Sequence, residues 1–464
     1  MTPIAAPPDE VDLFVETLVI GAGAGGLVAA LAARERGEEV LVVEADAVPS
    51  GSTALSAGLI PAAGTRAQIE AGIDDSADLF AADIQRKAHG ENNPHLVEAL
   101  ASVSAEAIDW LTRAYGLPFS LVTDFDYPGH SRRRMHGLPG RSGRELVDAL
   151  RAAAEATGVD IICERRADQL FAEGLALRGA RLTRPDGGVE TVRCIRLILA
   201  CNGFGGNRAM VNRLIPDISQ ALWFGHDGNR GEAVLWGEAL GAQTRHLAAY
   251  QGHGNVAHPH GILITWATIM EGGIQVNLQG KRFWNESQGY SEAARKVLAQ
   301  PEGRAFTIFD ARIAAIARQF ADFKDAEAQG AIRWADTFAD LAQVSGLPEA
   351  ALRQTIETIP AGGTDRFGRR WETPALQPPF AAVQVTGALF HTQGGLVVEP
   401  ETARVLHASG AAFENLFTVG GAACGISGSG DSGYLSGNGL LSAVGLGLIA
   451  GRSGGEALAL DGPG

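Results

Sequence analysis

The chain has 464 residues, of which 46% are hydrophobic and 20% charged, and its formal net charge is −15. The length suggests two domains, and the composition is that of a water-soluble globular protein. The excess of acidic residues argues against nucleic acid as a partner, because phosphate binding needs a basic surface. The 60 glycines exceed the usual share of about 7%, and they cluster in short motifs rather than in repeats.

The four cysteines (Cys163, Cys194, Cys201 and Cys424) lack the CxxC and CxxCH spacings of metal sites and attached haem. We therefore expect buried free thiols, with neither a metal site nor a disulfide framework. The first residues lack the basic and apolar segments of a signal peptide, and no run of about 18 apolar residues predicts a membrane span. These features favour a cytoplasmic protein.

The first predicted elements form a strand–helix–strand unit. A Pro- and acid-rich stretch over residues 1–12 is expected to be a loose tail. A buried strand over residues 15–20, a helix over residues 26–37 and a second buried strand over residues 39–44 follow. This order opens a doubly wound α/β sheet.

A glycine motif joins the first of these strands to the helix. Gly21, Gly23 and Gly26 fit GxGxxG, which permits a tight turn, close approach of the backbone to a pyrophosphate, and close helix packing. Glu44 ends the second strand at the spacing expected of a carboxylate that binds ribose hydroxyls. The small residues after it, Ser50 to Ile60, form a loop that could bring amides and hydroxyls against a phosphate or a flavin ring. Together these features predict a bound dinucleotide.

Later elements continue the pattern and are then interrupted. A helix is predicted over residues 142–157, and strands over residues 159–163 and 195–200. Arg132-Arg-Arg134 is expected to be a solvated run. Between about residues 245 and 385 the chain becomes richer in aromatic and polar residues, with a helical stretch through residues 311–330. Glycine-rich motifs return at His391-Thr-Gln-Gly-Gly395.

Several motifs in one order resemble the fumarate reductase/3-ketosteroid dehydrogenase superfamily of FAD flavoproteins (FAD-binding 2 type), over nearly the whole chain. They are Gly21–Gly26, residues 50–63, Arg134-Met-His136, residues 200–207, residues 276–286, His391–Gly395 and Gly437-Asn438. The resemblance implies a discontinuous, Rossmann-like FAD-binding domain (residues 1–245 and 386–464) with an inserted α+β capping domain that binds substrate (residues 246–385). FAD is expected to be non-covalent, because residues 50–58 contain no histidine for covalent attachment.

The same resemblance implies that a C-terminal helix begins near Asn438 and points its N-terminus at the N1/O2 edge of the flavin, where a helix terminus stabilises negative charge. One departure is Gly421, where the family commonly has an acidic residue that contacts the ribose. The residues assigned to FAD are Gly21, Gly23, Gly25, Gly26, Glu44, Ala45, Ser52, Thr53, Ser56, Ala57, Gly58, Ala167, Ala200, Asn202, Gly203, Gly420, Asn438, Gly439, Leu440 and Leu441.

The positions aligned with the family's active site distinguish its branches. Fumarate reductases bind two carboxylates with arginines and use an arginine as proton donor, and these arginines fall on Tyr290 and Tyr434. The glutamate and arginine of their proton relay fall on Trp266 and Ile269, whereas His253 and His391 match substrate histidines. Tyrosine cannot bind a carboxylate in the planar, bidentate way of arginine, so a dicarboxylate substrate is disfavoured.

Tyrosines at both positions resemble instead the 3-ketosteroid 1-dehydrogenases. The resemblance implies that Tyr434 polarises a ketone oxygen, with help from the backbone N–H of Asn438, and that Tyr290 takes the α-proton while the β-hydrogen leaves as hydride to flavin N5. Thr265, Trp266 and Tyr127 are further candidate substrate contacts, although Tyr127 also fits a surface turn. Either catalytic tyrosine could alternatively be a buried aromatic with a hydrogen-bonded hydroxyl.

These features predict an FAD-dependent oxidoreductase acting on a CH–CH group, a dehydrogenase (desaturase) that forms an α,β-unsaturated ketone from a cyclic ketone. Steroid and cyclohexanone-type substrates both remain open, and the short capping domain favours the smaller ring. The alternatives are a fumarate-reductase-like enoate reductase acting on a non-dicarboxylate, and a flavoprotein subunit that only transfers electrons. The sequence contains no second GxGxxG motif that would predict a nicotinamide site. It therefore does not identify the external electron acceptor.

Overall fold

The computed structural model describes residues 3–123 and 126–454. Its strands are β1 Ile4–Ala5, β2 Leu13–Ile20, β3 Val40–Val43, β4 Ile60–Pro61, β5 Ser120–Leu121, β6 Met135–Gly137, β7 Asp160–Ile162, β8 Arg166–Glu173, β9 Ala176–Thr183, β10 Val189–Leu199, β11 Leu222–Trp223, β12 Thr244–Arg245, β13 Tyr250–Ala257, β14 Ile262–Leu263, β15 Ile274–Val276, β16 Arg304–Asp310, β17 Arg333–Ala335, β18 Gly363–Thr364, β19 Arg370–Trp371, β20 Phe380–Thr392, β21 Gly395–Leu396, β22 Arg404–Leu406 and β23 Ala412–Thr418.

The helices are α1 Ala24–Glu35, α2 Gly51–Ala54, α3 Arg66–Glu70, α4 Ala77–Lys87, α5 Pro94–Tyr115, α6 Gly143–Ala156, α7 Arg208–Leu214, α8 Glu232–Leu240, α9 Ala267–Met270, α10 Tyr290–Leu298, α11 Ala311–Ala317, α12 Ala321–Ala328, α13 Phe338–Ser345, α14 Glu349–Glu357 and α15 Asn438–Arg452. Two compact units contain these elements. Unit 1 comprises the described residues up to Leu214, Gly225–Tyr250 and those from His391 on, and unit 2 comprises Ile215–Phe224 and Gln251–Phe390. The domain boundaries expected from the sequence stay a prediction.

Unit 1 is built on a mostly parallel sheet. Its parallel strands lie in the order β23–β10–β2–β3–β7, and β8 and β9 extend the sheet with antiparallel pairing. All four residues of β3 are buried, the apolar run typical of a parallel strand covered on both faces. The predicted strand–helix–strand opening is present as β2, α1 and β3. The predicted α/β, Rossmann-like fold is therefore confirmed.

Glycines in α15 allow this C-terminal helix to pack closely on α1. A Cβ at Gly447 would lie 2.6 Å from the Gly25 carbonyl oxygen, and one at Gly451 would lie 2.4 Å from that of Ala29. Both distances are too short for any side chain, so the two helices can meet only because these positions are glycine. The contact fixes the N-terminus of α15 relative to the nucleotide-binding helix.

Unit 2 contains a mainly antiparallel sheet flanked by helices. Its strands follow the order β14–β13–β20–β16–β15, and β11 and β17 also pair with β20. Ile308, Phe309, Phe323 and Phe380 are buried in its core. This is the α+β architecture expected of the inserted segment.

One sequence expectation about local structure is wrong, and the helical stretch expected over residues 311–330 is present but divided. Residues 1–12 are not a loose tail in their described part, because Ile4 and Ala5 pair in parallel with β8 and Arg193 donates to the Pro8 carbonyl at 2.9 Å. As an edge strand, β1 loses no ladder bonds to the prolines that follow it. The stretch over residues 311–330 is two helices, since Phe320 has extended angles (φ −92°, ψ 131°) and interrupts it.

Arg134 is also not part of a solvated run. Its side chain is buried, its Nε lies 2.8 Å from Asp75 Oδ2, and its Nη1 pairs with Asp83. Burial of an arginine is tolerated where carboxylates compensate its charge. The two aspartates come from a loop and a helix more than 50 residues earlier in the chain, so the run of arginines alone gave no indication of the pairing.

Candidate active site

A cleft opens in unit 1 where β2, β3 and β10 end beside α1. Ligands of open α/β sheets bind at this edge, outside the carboxyl ends of the strands. Among the residues assigned to FAD from the sequence, those that line the cleft are Gly21, Gly23, Gly25, Glu44, Ala45, Ser52, Thr53, Ala167, Ala200, Asn202 and Gly420.

The glycine motif shapes the cleft as its spacing predicts. Gly21 has φ +109°, and a Cβ there would lie 2.6 Å from the Ala200 carbonyl oxygen. Gly23 is the N-cap of α1 and provides no side-chain cap. A helix N-terminus that faces a cleft favours an anion such as a pyrophosphate.

The carboxylate of Glu44 is held at the end of β3. It accepts the backbone N–H of Ala22 at 2.8 Å and that of Asp46 at 3.0 Å, and the residue is buried. Each oxygen keeps a further lone pair for a ribose hydroxyl. A buried oxygen of Glu232, Oε2, has no hydrogen-bond partner among the described residues, and Glu232 also lines the cleft. These groups fit the polar adenosine and pyrophosphate portions of FAD.

The space beside Gly421, where the family commonly has an acidic residue, is occupied by the side chain of Asn202. A Cβ at Gly421 would lie 2.0 Å from Asn202 Oδ1, so the amide of Asn202 occupies the space beside this glycine. Asn202 has φ +65°, and its Nδ2 donates to Ser52 Oγ at 2.8 Å. Asn229 donates to the same hydroxyl at 2.9 Å. Asn229 and His226, whose Nε2 lies 2.8 Å from Asp46 Oδ2, line the cleft but were missed from the sequence, because they belong to no glycine motif.

Other residues assigned to FAD are not part of the cleft wall: Gly26, Ser56, Ala57, Gly58, Gly203, Asn438, Gly439, Leu440 and Leu441. Gly26 and Gly203 serve close packing, since a Cβ would lie 1.9 Å from the Gly21 carbonyl oxygen and 2.0 Å from Thr392 Oγ1, respectively. Ser56 Oγ donates to the Thr53 carbonyl at 2.7 Å and so shapes the loop after Glu44. Their role in binding FAD stays a prediction.

A second group of predicted residues, His391 and Tyr434 (the His391–Tyr434 pair), lies beside the N-terminus of α15. Their rings meet edge to face with centroids 5.6 Å apart. A Cβ at Gly439 would lie 3.1 Å from His391 Cε1 and 3.5 Å from the Tyr434 hydroxyl, so both side chains converge on the first turn of the helix. The N–H of Gly439 donates to the Tyr434 hydroxyl at 3.4 Å.

Burial keeps both members of this pair uncharged. Desolvation lowers the pKa of His391 to about 4, and it raises the pKa of Tyr434 to about 12. At neutral pH the imidazole is therefore neutral and the phenol keeps its proton. Because Tyr434 accepts from Gly439, its own O–H remains a donor. The pair thus offers polarised N–H and O–H groups without a positive charge.

A separate aromatic column lies in unit 2 and contains two further predicted residues. The ring of His253 stacks on Tyr290, with centroids 5.0 Å apart, and on Phe390, with centroids 5.4 Å apart. Phe390 in turn stacks on Phe224 at 4.9 Å. Trp266 meets the edge of His253 at 5.6 Å. The two phenylalanines were not predicted, although Phe390 directly precedes the His391 motif.

The column holds His253 as a neutral donor. Its Nδ1 accepts the backbone N–H of Asn255 at 3.2 Å, which leaves the proton on Nε2. Burial among the rings lowers the pKa of His253 to about 3. Trp266 Nε1 is buried without a hydrogen-bond partner among the described residues, so it is a second available donor. Thr265 accepts the N–H of Ala267 at 3.3 Å at the start of α9.

The Asn285-Glu-Ser motif fixes the position of Tyr290. Glu286 is fully buried and forms two hydrogen bonds with Arg282, at 2.8 and 2.6 Å, and one with Arg369 at 3.2 Å. It also accepts the backbone N–H of Gln275 at 3.1 Å. These bonds anchor the short turn that ends where α10 begins, at Tyr290. The motif therefore fixes Tyr290 in position at the N-terminus of α10.

The remaining predicted contact, Tyr127, lies in unit 1. It packs in a small apolar cluster with Leu59, Val122 and Met135 and is half-buried. No helix in the described part of the chain has the length and apolar character needed to cross a membrane.

Comparison with known proteins identifies the family of this chain. The model of one protein family, FAD_binding_2 (FAD binding domain), matches residues 16–440. The "Probable fumarate reductase Ifc3" of Shewanella frigidimarina is 30% identical over 97% of this chain and 75% of its own length. An "NADH:fumarate oxidoreductase" of Klebsiella pneumoniae is 27% identical over 94% of this chain, which spans about half (47%) of that relative. A "4-oxocyclohexanecarboxylate 2-dehydrogenase" of Sinomonas cyclohexanicum is 26% identical over 88% of this chain and 87% of its own length.

Solved structures show similarity to the same two kinds of enzyme, reductases and dehydrogenases. A flavocytochrome c3 fumarate reductase superposes with a TM-score of 0.81 at 28% identity, over 95% of this chain and 78% of the other. A 3-ketosteroid-delta4-(5alpha)-dehydrogenase from Rhodococcus jostii RHA1, in complex with 4-androstene-3,17-dione, superposes with a TM-score of 0.76 at 25% identity, over 97% and 99%. The similarity therefore extends to proteins that reduce and to proteins that oxidise carbon–carbon bonds.

Proposed function

Because this chain belongs to the FAD-binding family whose model covers residues 16–440, we propose that it is an FAD-dependent dehydrogenase that introduces a C=C bond beside the carbonyl of a cyclic ketone. Its membership makes it an FAD flavoprotein of the oxidoreductases that act on CH–CH groups. The direction of the reaction, the ketone substrate and the roles of the tyrosines are our proposal.

The observation that carries this proposal is the neutral His391–Tyr434 pair. A dicarboxylate needs positive charge to offset its own, and bidentate arginines are the usual means. Here burial keeps His391 uncharged and Tyr434 protonated, so the pair offers donors and no cation. Such donors suit a ketone oxygen, which is neutral in the ground state and gains negative charge only during the reaction.

The residues then have separate tasks in the proposed reaction. Tyr434 O–H and His391 Nε2–H donate to the carbonyl oxygen, which acidifies the α-carbon and stabilises the enolate-like charge. Tyr290, as its phenolate, accepts the α-proton as general base and becomes the phenol, and the electron pair of that C–H bond forms the new C=C bond. FAD, when bound, would supply the hydride acceptor for the β-hydrogen. The column around His253 presents Tyr290 against rings that exclude water.

We infer a small ring ketone with a remote carboxylate, of the 4-oxocyclohexanecarboxylate type, as the substrate class. The relative named for that substrate matches this chain along nearly its whole length, 88% of this chain and 87% of its own. The steroid dehydrogenase from Rhodococcus jostii supports the same ketone chemistry on a larger ring.

Turnover with an artificial electron acceptor tests the proposal. FAD-loaded protein is incubated with cyclohexanone, 4-oxocyclohexanecarboxylate or 4-androstene-3,17-dione together with a phenazine dye, and products are identified by mass spectrometry. We expect a ring ketone that has lost two hydrogens, with the carboxylated ring as the best substrate. Absence of dye reduction with every ketone would contradict the proposal.

Reduction of an enoate is the second candidate, since the fumarate reductases are the more similar relatives, at up to 30% identity. Dithionite-reduced protein separates it from the first. Reoxidation by linear enoates, with no turnover of ketones, would establish the reductase. A flavin that responds to neither class would indicate a subunit that only transfers electrons.

A further inference from the structure

A buried chain of hydrogen bonds connects the first residue of α15 to the imidazole of His391. Asn438 Nδ2 donates to Ser427 Oγ at 3.2 Å, and Ser427 Oγ donates to Gln393 Oε1 at 2.7 Å. The Nε2 of Gln393 lies 2.8 Å from His391 Nδ1. Gln393, Ser427 and Asn438 are all nearly or fully buried. The proposed reaction uses His391 but none of the three residues behind it.

The hydrogen bonds of this network all run in one direction, because each side chain has a limited number of protons to donate. The hydroxyl of Ser427 carries one proton. Since it accepts from Asn438, that proton goes to Gln393 Oε1. The amide NH₂ of Gln393 then faces His391, where Nδ1 must act as the acceptor. The ring proton of the neutral imidazole is left on Nε2.

A competing arrangement exists at Nδ1. The carbonyl oxygen of Thr392 lies 3.4 Å from the same nitrogen and would be used only if Nδ1 carried the proton. At 2.8 Å the Gln393 amide is much closer, and a hydrogen bond weakens steeply as it lengthens. The geometry therefore favours the tautomer set by Gln393.

The orientation of the Asn438 amide, at the far end of this chain of hydrogen bonds, sets their direction. Asn438 Oδ1 is buried without a hydrogen-bond partner among the described residues, so this acceptor is open for a donor. The flavin ring of FAD carries an imide N–H, which is the complementary group. A flipped Asn438 would present its NH₂ there instead and would reverse every bond of the chain.

We propose that Gln393 is a positioning residue that, with Ser427 and Asn438, holds His391 as the Nε2–H tautomer so that it donates to the substrate oxygen. The inference rests on the proposed function only for the use made of this proton. A carbonyl oxygen can be polarised by an N–H, whereas the opposite tautomer would present a lone pair and repel it. Gln393 therefore decides whether the His391–Tyr434 pair has two donors or one.

Ring-nitrogen NMR of FAD-loaded, ¹⁵N-histidine-labelled protein at pH 7 tests the proposal without any substrate. The signals of His391, among those of 11 histidines, are those that disappear in His391→Gln. We expect a protonated Nε2 and an unprotonated Nδ1. A proton on Nδ1 would overturn the inference.

Substitutions at position 393 provide the second arm. Gln393→Met keeps the volume but removes the amide, so we expect a mixture of tautomers and a roughly tenfold loss of kcat with KM little changed, which is the worth of one hydrogen bond. Gln393→Glu presents only acceptors and should move the proton to Nδ1. Unchanged ring signals in both variants would contradict the proposal, and Gln393→Met keeps it testable if the charged variant fails to fold.

Gln243→Met is the matched control. Its amide donates to the His407 carbonyl at 2.9 Å, elsewhere in unit 1, so the His391 signals and kcat should stay as in the wild type. The outcome for the tautomer is independent of the substrate. If His391 carries its proton on Nε2 but no ketone is turned over, the proposed function fails and the tautomer assignment stands.

Discussion

Replacement of Tyr434 by phenylalanine separates catalysis from folding. The change removes one hydroxyl oxygen and keeps the ring that packs against His391 at 5.6 Å. In the folded protein the hydroxyl accepts a long hydrogen bond, 3.4 Å from the Gly439 N–H. A bond of that length contributes at most about 1 kcal/mol to the free energy of unfolding, so the variant should fold and bind FAD.

The expected catalytic effect is much larger than the structural one. Removal of one donor from a developing oxyanion costs roughly 10²–10³ in kcat, or about 3–4 kcal/mol. Because His391 remains as a second donor, we expect the lower end of this range, about 100-fold. Steady-state turnover of 4-oxocyclohexanecarboxylate measures kcat, while flavin absorbance and thermal unfolding report FAD content and stability.

Tyr115→Phe is the matched control for this experiment. Tyr115 also donates one hydrogen bond, to Glu35 at 2.9 Å, and lies in the same unit. The control should lose comparable stability and no activity. A decrease in kcat of less than about fivefold for Tyr434→Phe, with FAD bound, would refute the role of its hydroxyl as the oxyanion donor.

Three further predictions concern pH and packing. If Tyr290 is the base, kcat/KM for the ketone should rise about tenfold per pH unit below its pKa, with no histidine limb between pH 5 and 8, and a flat profile would exclude that role. Burial lowers the pKa of His136 to about 4, so the unfolded chain takes up the proton first as the pH falls. The loss of unfolding free energy between pH 7.5 and pH 5, measured in urea titrations, should therefore be smaller by about 2 kcal/mol in His136→Gln than in the wild type. In Gly26→Ala the new Cβ would lie 1.9 Å from a carbonyl oxygen, so calorimetry should show a free energy of unfolding lower by about 1–3 kcal/mol, with less FAD bound. The control Gly362→Ala, whose Cβ would meet nothing within 4 Å, should match the wild type.

Local motifs predicted the nucleotide-binding part of the fold well, because their physical requirements are local. Gly21 needs a positive φ and space against Ala200, and both requirements can be read from GxGxxG. The alternation of strand and helix was likewise visible, whereas the helix at Asn438 followed from the family resemblance. In contrast, the edge strand at Ile4 depends on β8, more than 150 residues later, and no local pattern indicates it.

The site residues show the same distinction. His253, Tyr290, His391 and Tyr434 were found because they fall on positions of a known family pattern. Gln393 was not, although it lies within the His391 motif, because its role depends on a serine and an asparagine that only the folded chain brings together. A hydrogen-bond network between distant residues leaves no periodic or compositional signal in the sequence.

The most direct test of the neutral-donor account is an anaerobic stopped-flow measurement on one preparation of FAD-loaded protein. Oxidised protein is mixed with 4-oxocyclohexanecarboxylate, and dithionite-reduced protein is mixed with fumarate, while flavin absorbance is followed. We predict that the ketone bleaches the flavin and that fumarate leaves the reduced flavin unchanged. Rapid reoxidation by fumarate, with no bleaching by the ketone, would show that a site without arginines at positions 290 and 434 still acts on dicarboxylates, and would contradict the account.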